Sequence, residues 1–390
     1  MKKSFFVGLG VALLLAGCAP QFDDGEEEIV QDKAEKTEKA IIPKYQISDD
    51  YYKMLLPFEA SQARGLVVSN LNTRYDIEEF ETGLMRISQK DFNQDKYYFK
   101  EGQVLNSSTI SKWLERKYTD EQLDKKKLKA SDNLGLNPVD TQKGDVKTRN
   151  EKNPIYLAHI LEHDYLIKNK DNQVSLGGVV IGLALNSVHY YQKEEYGATY
   201  DTSISDQKLE SEGKKIAAEV LKRLRKTDEL KDVPITIALF KQVEKSSVIP
   251  GNFISFTHVN KDGNSIGKWE NVDEKYYVLP STTAEKEHRD DVTMFKKFKQ
   301  DVEEYFPNFN GVVGRAFYVD EQLQDLNIEI PIQFYGNSEA IGFTQYLTGL
   351  VMEHFPDYVS VQVSVTSVNG PEALVVKKAG EDEPFVHIYK

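Results

Sequence analysis

The sequence predicts an α/β or α+β protein made of two tandem related repeats, each a mixed sheet with one or two packed helices. Three observations predict it. First, a short signature occurs twice: Val104-Leu105-Asn106-Ser107-Ser108-Thr109 and Val278-Leu279-Pro280-Ser281-Thr282-Thr283. Second, each copy follows an aromatic strand, Asp95-Lys96-Tyr97-Tyr98-Phe99 or Glu274-Lys275-Tyr276-Tyr277-Val278. Third, the order strand, helix, strand then recurs in both halves. Self-similarity of this kind marks one unit used twice.

The elements are read in order from the N-terminus. Lys2 and Lys3 are followed by an uncharged run of 13 residues, Phe5 to Gly17, that ends at Leu15-Ala16-Gly17-Cys18. A helix that spans a bilayer needs about 20 apolar residues. This run is shorter, and its positive, apolar and small-residue layout is that of a signal peptide over residues 1–17. Leu-Ala-Gly-Cys matches a lipobox, with cleavage between Gly17 and Cys18. Cys18 is the single cysteine of 390 residues. Its thiol is expected to carry a diacylglyceryl group, because two acyl chains anchor stably where one holds only marginally. The mature fold then contains no disulfide.

Residues 18–50 read as an acidic, disordered tether. Asp23, Asp24, Glu26, Glu27, Glu28, Asp32, Glu35 and Glu38 alternate with Lys33, Lys36 and Lys39, so little apolar surface is there to bury. The first repeat is expected over 51–210 and the second over 211–390. From the first repeat past its expected end, an apolar strand Leu176–Leu185 precedes an amphipathic helix with Ile216, Val220 and Leu224, then a strand Ile235–Phe240. In the second, the matching elements are Ile328–Phe334, Gly342–His354 and Val359–Val365. A helix from about Ala284 to Phe306 carries Val292, Phe295, Phe298 and Val302 on one face. The Ser/Thr clusters suit helix N-caps. The stretch 119–153, with Lys125-Lys126-Lys127 and few apolar residues, reads as a mobile insertion.

Charge narrows the partners. The formal net charge is −13, and it becomes two units more negative once Lys2 and Lys3 leave with the signal. Nucleic acid and anionic surfaces are excluded as main partners. Two motifs could carry chemistry. His159-Ile160-Leu161-Glu162-His163 fits the H-x-x-E-H zinc pattern, which on a helix puts His159 and His163 on one face with Glu162 as base. Gly263-Asn264-Ser265-Ile266-Gly267 fits the hydrolase elbow, yet strands flank it on both sides, as at a hairpin tip. No catalytic residue, metal site or cofactor is assigned, and an enzyme is not expected. Paired tyrosines, Tyr97-Tyr98 and Tyr276-Tyr277 among them, put one ring on each strand face and could stack on a peptide or glycan.

The lipobox, PFEASQARGLVVSNLNTRYDIEEFETGLMRISQKDF at 57–92, DKYYF at 95–99 and LGGVVIGLALNSVHYY at 176–191 together resemble the CamS sex-pheromone lipoproteins along essentially the whole chain. The resemblance implies a mature lipoprotein of two related repeats. It also implies a signal peptide trimmed to a short apolar pheromone, here Val11-Ala12-Leu13-Leu14-Leu15-Ala16-Gly17. Lipoprotein signal peptidase is the implied processing partner. The expected place is the outer face of the cytoplasmic membrane, held there through the lipid on Cys18. The alternatives are an extracytoplasmic peptide- or glycan-binding lipoprotein, and a zinc hydrolase built on His159 and His163.

Overall fold

Two strands that carry a tyrosine pair each form an edge of a sheet in the computed structural model, which describes residues 27–33, 36–305 and 311–389. The chain first forms a hairpin, β1 (Glu27–Lys33) and β2 (Lys36–Ile42), then helices α1 (Arg64–Asn70) and α2 (Arg74–Ser88). The first copy continues with β3 (Tyr97–Glu101), α3 (Ser107–Leu114), α4 (Asp120–Lys126), α5 (Val146–Lys152), β4 (Leu157–Lys168) and β5 (Gln173–Asn186). A small hairpin, β6 (Val188–Gln192) and β7 (Thr199–Ser203), precedes α6 (Asp206–Leu224), β8 (Ile235–Gln242), β9 (Asn252–Val259) and β10 (Glu270–Asn271). The second copy is β11 (Glu274–Leu279), α7 (Thr282–Glu287), α8 (Arg289–Tyr305), β12 (Val313–Val319), β13 (Gln322–Pro331), α9 (Asn337–His354), β14 (Ser360–Ser367), β15 (Gly370–Lys377) and β16 (Phe385–Ile388).

The strand orders coincide. In the first sheet, to which the β1–β2 hairpin is added at the start of β5, six strands run β3-β4-β5-β8-β9-β10, with contacts antiparallel, antiparallel, parallel, antiparallel and antiparallel. The second runs β11-β12-β13-β14-β15-β16 with the same five senses. The parallel contact within each set of six needs a crossover. Helix α6 supplies it in one sheet and α9 in the other. The two related repeats of the sequence are therefore present. Leu105 and Leu279 of the repeated signature are both buried. The helix after each signature is capped by a polar side chain: Asn106 accepts from the Thr109 amide, and Ser281 from the Ala284 amide.

The expected division at 210/211 does not follow the sheets. Helix α6 and strands β8 and β9 complete the first sheet, so the change of copy falls between Asn271 and Glu274. A parallel partner lies across a crossover, so the first copy cannot close before β8.

Two segments expected to be loose are built in over their described residues; residues 18–26, 34 and 35 lie outside these. Within 18–50, Ile29, Ala40 and Ile42 are buried with Leu55, Leu166 and Val174. Strand β1 runs parallel to the start of β5, with Val30 opposite Gln173. Composition averaged over a charged segment hides a period-two apolar face. Within 119–153, Leu123 and Leu136 are buried, and Asn137 is fully enclosed. The Asn137 side chain accepts from the amides of Tyr156 and Leu157 and donates to the carbonyls of Leu114 and Leu157. One amide thus staples the insertion to α3 and β4.

Coverage distinguishes the sheets. In the first, α3 and α6 bury one face and α1 and α2 the other, so β5 is buried on both sides from Gly178 to Leu185. That is why its sequence is a continuous apolar run. The glycines in that run make room for rings: a Cβ at Gly178 would lie 2.1 Å from Phe92, and one at Gly182 would lie 2.7 Å from Phe80. In the second sheet α8 and α9 cover one face only. Burial in β13 and β14 alternates accordingly, with Leu326, Ile328, Val361 and Val363 inside and Asn327, Glu329 and Gln362 outside.

Candidate functional site

The residues that define processing, Val11, Ala12, Leu13, Leu14, Leu15, Ala16, Gly17 and Cys18, lie outside the described residues. The body can be read site by site.

His159, Glu162 and His163 sit on strand β4, not on a helix. Four residues of strand separate the histidines by about 13 Å, too far for ligands that each stand about 2 Å from one zinc ion. Glu162 points to the opposite face, where it accepts hydrogen bonds from the amides of Val104 at 3.1 Å and Leu105 at 2.6 Å. Asp164, two residues on, accepts from the amide of Gln103 at 3.0 Å. Burial and the neighbouring Glu162 hold the Asp164 carboxyl well above the usual carboxylate range. A Cβ at Gly102 would meet Glu162 at 2.4 Å, so a side chain there would strike the acid. The acid of the motif therefore fixes the repeated signature before α3. The zinc reading is overturned by this geometry. Among the described residues, no group of three or more His, Cys, Asp or Glu is placed to hold a metal.

Ser265 is exposed in the connection between antiparallel strands β9 and β10, as a hairpin tip requires and a nucleophile elbow does not. Tyr276 is no exposed stacking platform. Its ring stacks on Phe317 at 4.6 Å, and its hydroxyl donates to Glu79 at 2.5 Å. Glu79 and Glu274, both nearly buried, close on Arg86 at 2.5 and 2.7 Å. Arg86 also lies over Phe317, and Arg315 over Tyr75. Helix α2 is thus wedged between the copies: Phe80, Leu84 and Ile87 face the first sheet, and Tyr75, Glu79 and Arg86 meet the second. Asp76, fully buried, ties the helix start to the turn before β9 by accepting from the Gly251 amide at 2.9 Å.

A partly open, mainly apolar cavity of about 140 Å³ stands at the edge of β4. Met54, Val67, Met85, Phe99, Leu105 and Ile110 give it apolar walls, and His159 and His163 form its floor. Burial pushes both imidazoles down, His159 to about 4 and His163 to about 3, so both are neutral at physiological pH. The His163 ring meets the edge of Phe99 at 4.9 Å, and its Nδ1 is buried without a hydrogen-bond partner. At the mouth stand Arg64, Glu81 and Glu101. Motif reading singled out only the histidines here. Glu81 and Met85 are one helical turn apart on the flank of α2, a spacing any surface helix shows.

The model described as the CamS sex pheromone cAM373 precursor matches residues 58–383. No curated protein matches the chain at a significant level. The solved C-terminal domain of the sex pheromone staph-cAM373 precursor from Staphylococcus aureus is 36% identical, with a TM-score of 0.71, over 82% of this chain and 98% of that one. The crystal structure of a sex pheromone precursor from Lactobacillus salivarius is 35% identical, with a TM-score of 0.79, over 89% of this chain and 98% of that one.

Proposed function

The chain belongs to the family of CamS sex pheromone cAM373 precursors, and on that premise we propose that it is made as a lipoprotein whose signal end supplies a peptide signal and whose body works outside the cytoplasm. Signal peptidase cuts between Gly17 and Cys18. The diacylated Cys18 holds the body on the outer face of the cytoplasmic membrane. The window Val11–Gly17 is released from the cut signal as an uncharged apolar heptapeptide, small and apolar enough to partition into a bilayer. The body binds and is not catalytic.

The observation that carries this reading is Leu15-Ala16-Gly17-Cys18 at the end of an uncharged run, with no other cysteine in the chain. The fold adds a supporting point. The histidines of its one zinc-like motif are held apart on a strand, and the acid of that motif is consumed by backbone amides. No helix among the described residues is long and apolar enough to cross a membrane, which leaves the N-terminal lipid as the attachment proposed.

Two measurements test it. Cells fed labelled palmitate should incorporate label into the wild-type chain and none into a Cys18→Ser variant. Mass spectrometry of culture supernatant should show VALLLAG from cells with the gene and not from a deletion strain. Label retained on Cys18→Ser would remove the anchor, and a supernatant without the peptide would remove the pheromone half.

A further inference from the structure

The cavity beside β4 has a size, a polarity and a charge that together select a ligand. A closed apolar space near 150 Å³ takes a benzene molecule. About 140 Å³ therefore admits one branched aliphatic side chain and excludes a whole peptide. The mouth holds two carboxylates and one cation. Glu101 is already engaged, accepting from the Ser61 amide at 2.6 Å and pairing with Arg64 at 3.3 Å. Glu81 is half-buried and makes neither a hydrogen bond nor an ion pair among the described residues. Its burial and the nearby Glu101 raise its pKa, and Arg64, already paired with Glu101, offsets them only in part. An arriving ammonium would supply the missing positive charge. An anionic head would meet two acids.

The backbone beside the cavity adds a third feature. The β3–β4 ladder ends at the Glu101–His163 pair, with one more bond from the Gly102 amide to the Glu162 carbonyl. Residues 159–161 of β4 therefore line the cavity at a strand edge that β3 has left. A strand edge is where an extended peptide adds its own backbone.

We propose that this cavity binds the amino-terminal residue of a short apolar peptide, with the side chain among Met85, Phe99 and Ile110 and the ammonium on Glu81. The peptide backbone leaves past Leu161, the part-exposed residue of that β4 edge. The proposal concerns the mature body and does not depend on the release of residues 11–17; VALLLAG enters only as a probe with a free amino end and an apolar first side chain.

The test is calorimetric titration of the full mature chain, Cys18 to Lys390, with three probes: VALLLAG, N-acetyl-VALLLAG and isoamylamine. Saturable binding of VALLLAG is expected. Acetylation should weaken it about tenfold or more, the loss of one charge-assisted contact. Isoamylamine, with the ammonium and aliphatic tail but no peptide, should bind more weakly than VALLLAG. Glu81→Gln should reproduce the acetylation penalty, and Met85→Trp should abolish binding by filling the space. Equal affinity for the free and acetylated peptides would overturn the role of Glu81. Isoamylamine binding as tightly as the peptide would overturn the assignment to peptides. Absence of heat with all three probes would overturn the site. The acetylation arm needs no variant, so a poorly folded mutant leaves the result intact.

Discussion

The first and second sheets share five neighbour contacts in the same senses but differ in what covers them. Residues 51–92, which form α1 and α2, have no counterpart ahead of β11, where Asn271 and Glu274 are almost adjacent. The first sheet is therefore an apolar layer between two helical layers, and the second is a two-layer unit with a polar outer face. The amino-acid pattern follows the cover. Val179, Val180, Ile181 and Leu183 are all buried on β5, whereas Val361 and Val363 alternate with Gln362 and Ser364 on β14. Duplication copied the hydrogen-bonded frame, and a segment outside the repeat gave the first copy the walls of its apolar cavity.

The comparison can be broken most directly at Phe80, which fills the second helical layer and is fully buried. Phe80→Ala should cost about 3–5 kcal/mol in denaturant unfolding. A loss below about 1 kcal/mol would mean that α2 does not stabilise the first sheet. Next comes the contact between copies. Arg86→Ala leaves Glu79 and Glu274 facing each other with side chains 7% and 8% exposed. Removing one partner of a fully buried pair costs about 3–5 kcal/mol, and the part-exposed arginine reduces this to about 2–3. If the copies unfold in one transition in the wild type, this variant should separate it into two by calorimetry.

Acid sharpens the comparison further. His159 and His163 have folded pKa values depressed to about 4 and about 3. The stability they contribute is present above their ordinary value near 6.5 and is lost as pH falls toward the folded values. One pH unit below that ordinary value the cost is about 1.4 kcal/mol per histidine. Amide exchange between pH 6.5 and 5 should therefore speed up on β4 and β5 before β13 and β14. Uniform acceleration would remove the asymmetry. The smallest effect belongs to the uncovered face, where Gln362→Ala should shift stability by less than about 0.5 kcal/mol.

Much of this architecture was legible. The tyrosine pairs and the Val-Leu-x-Ser-x-Thr signatures located the starts of both copies, because the same strand-to-helix connection demands the same buried leucine and cap. The boundary was not legible, since α6 and β8 look alike whether they close one sheet or open another. Only the parallel β5–β8 pairing assigns them. The HILEH pattern spaced its histidines for a helix, but β-strand period two also puts residues four apart on one face. Ile29, Ala40 and Ile42 were outvoted by their charged neighbours. The mouth of the cavity was invisible, because Arg64, Glu81 and Glu101 come together from three elements and share no spacing.

The hairpin at the entrance of the fold has a consequence for posture. Only eight residues separate Cys18 from Glu27, and at about 3.5 Å each they reach roughly 30 Å. An acylated Cys18 would keep β1 within one domain's width of the bilayer. Because Val30 lies beside Gln173, at the start of β5, that end of the first sheet is the one drawn toward the lipid. His159 pairs with Ala184, near the other end of β5. The opening beside Glu81 lies toward that far end of the sheet, away from the hairpin.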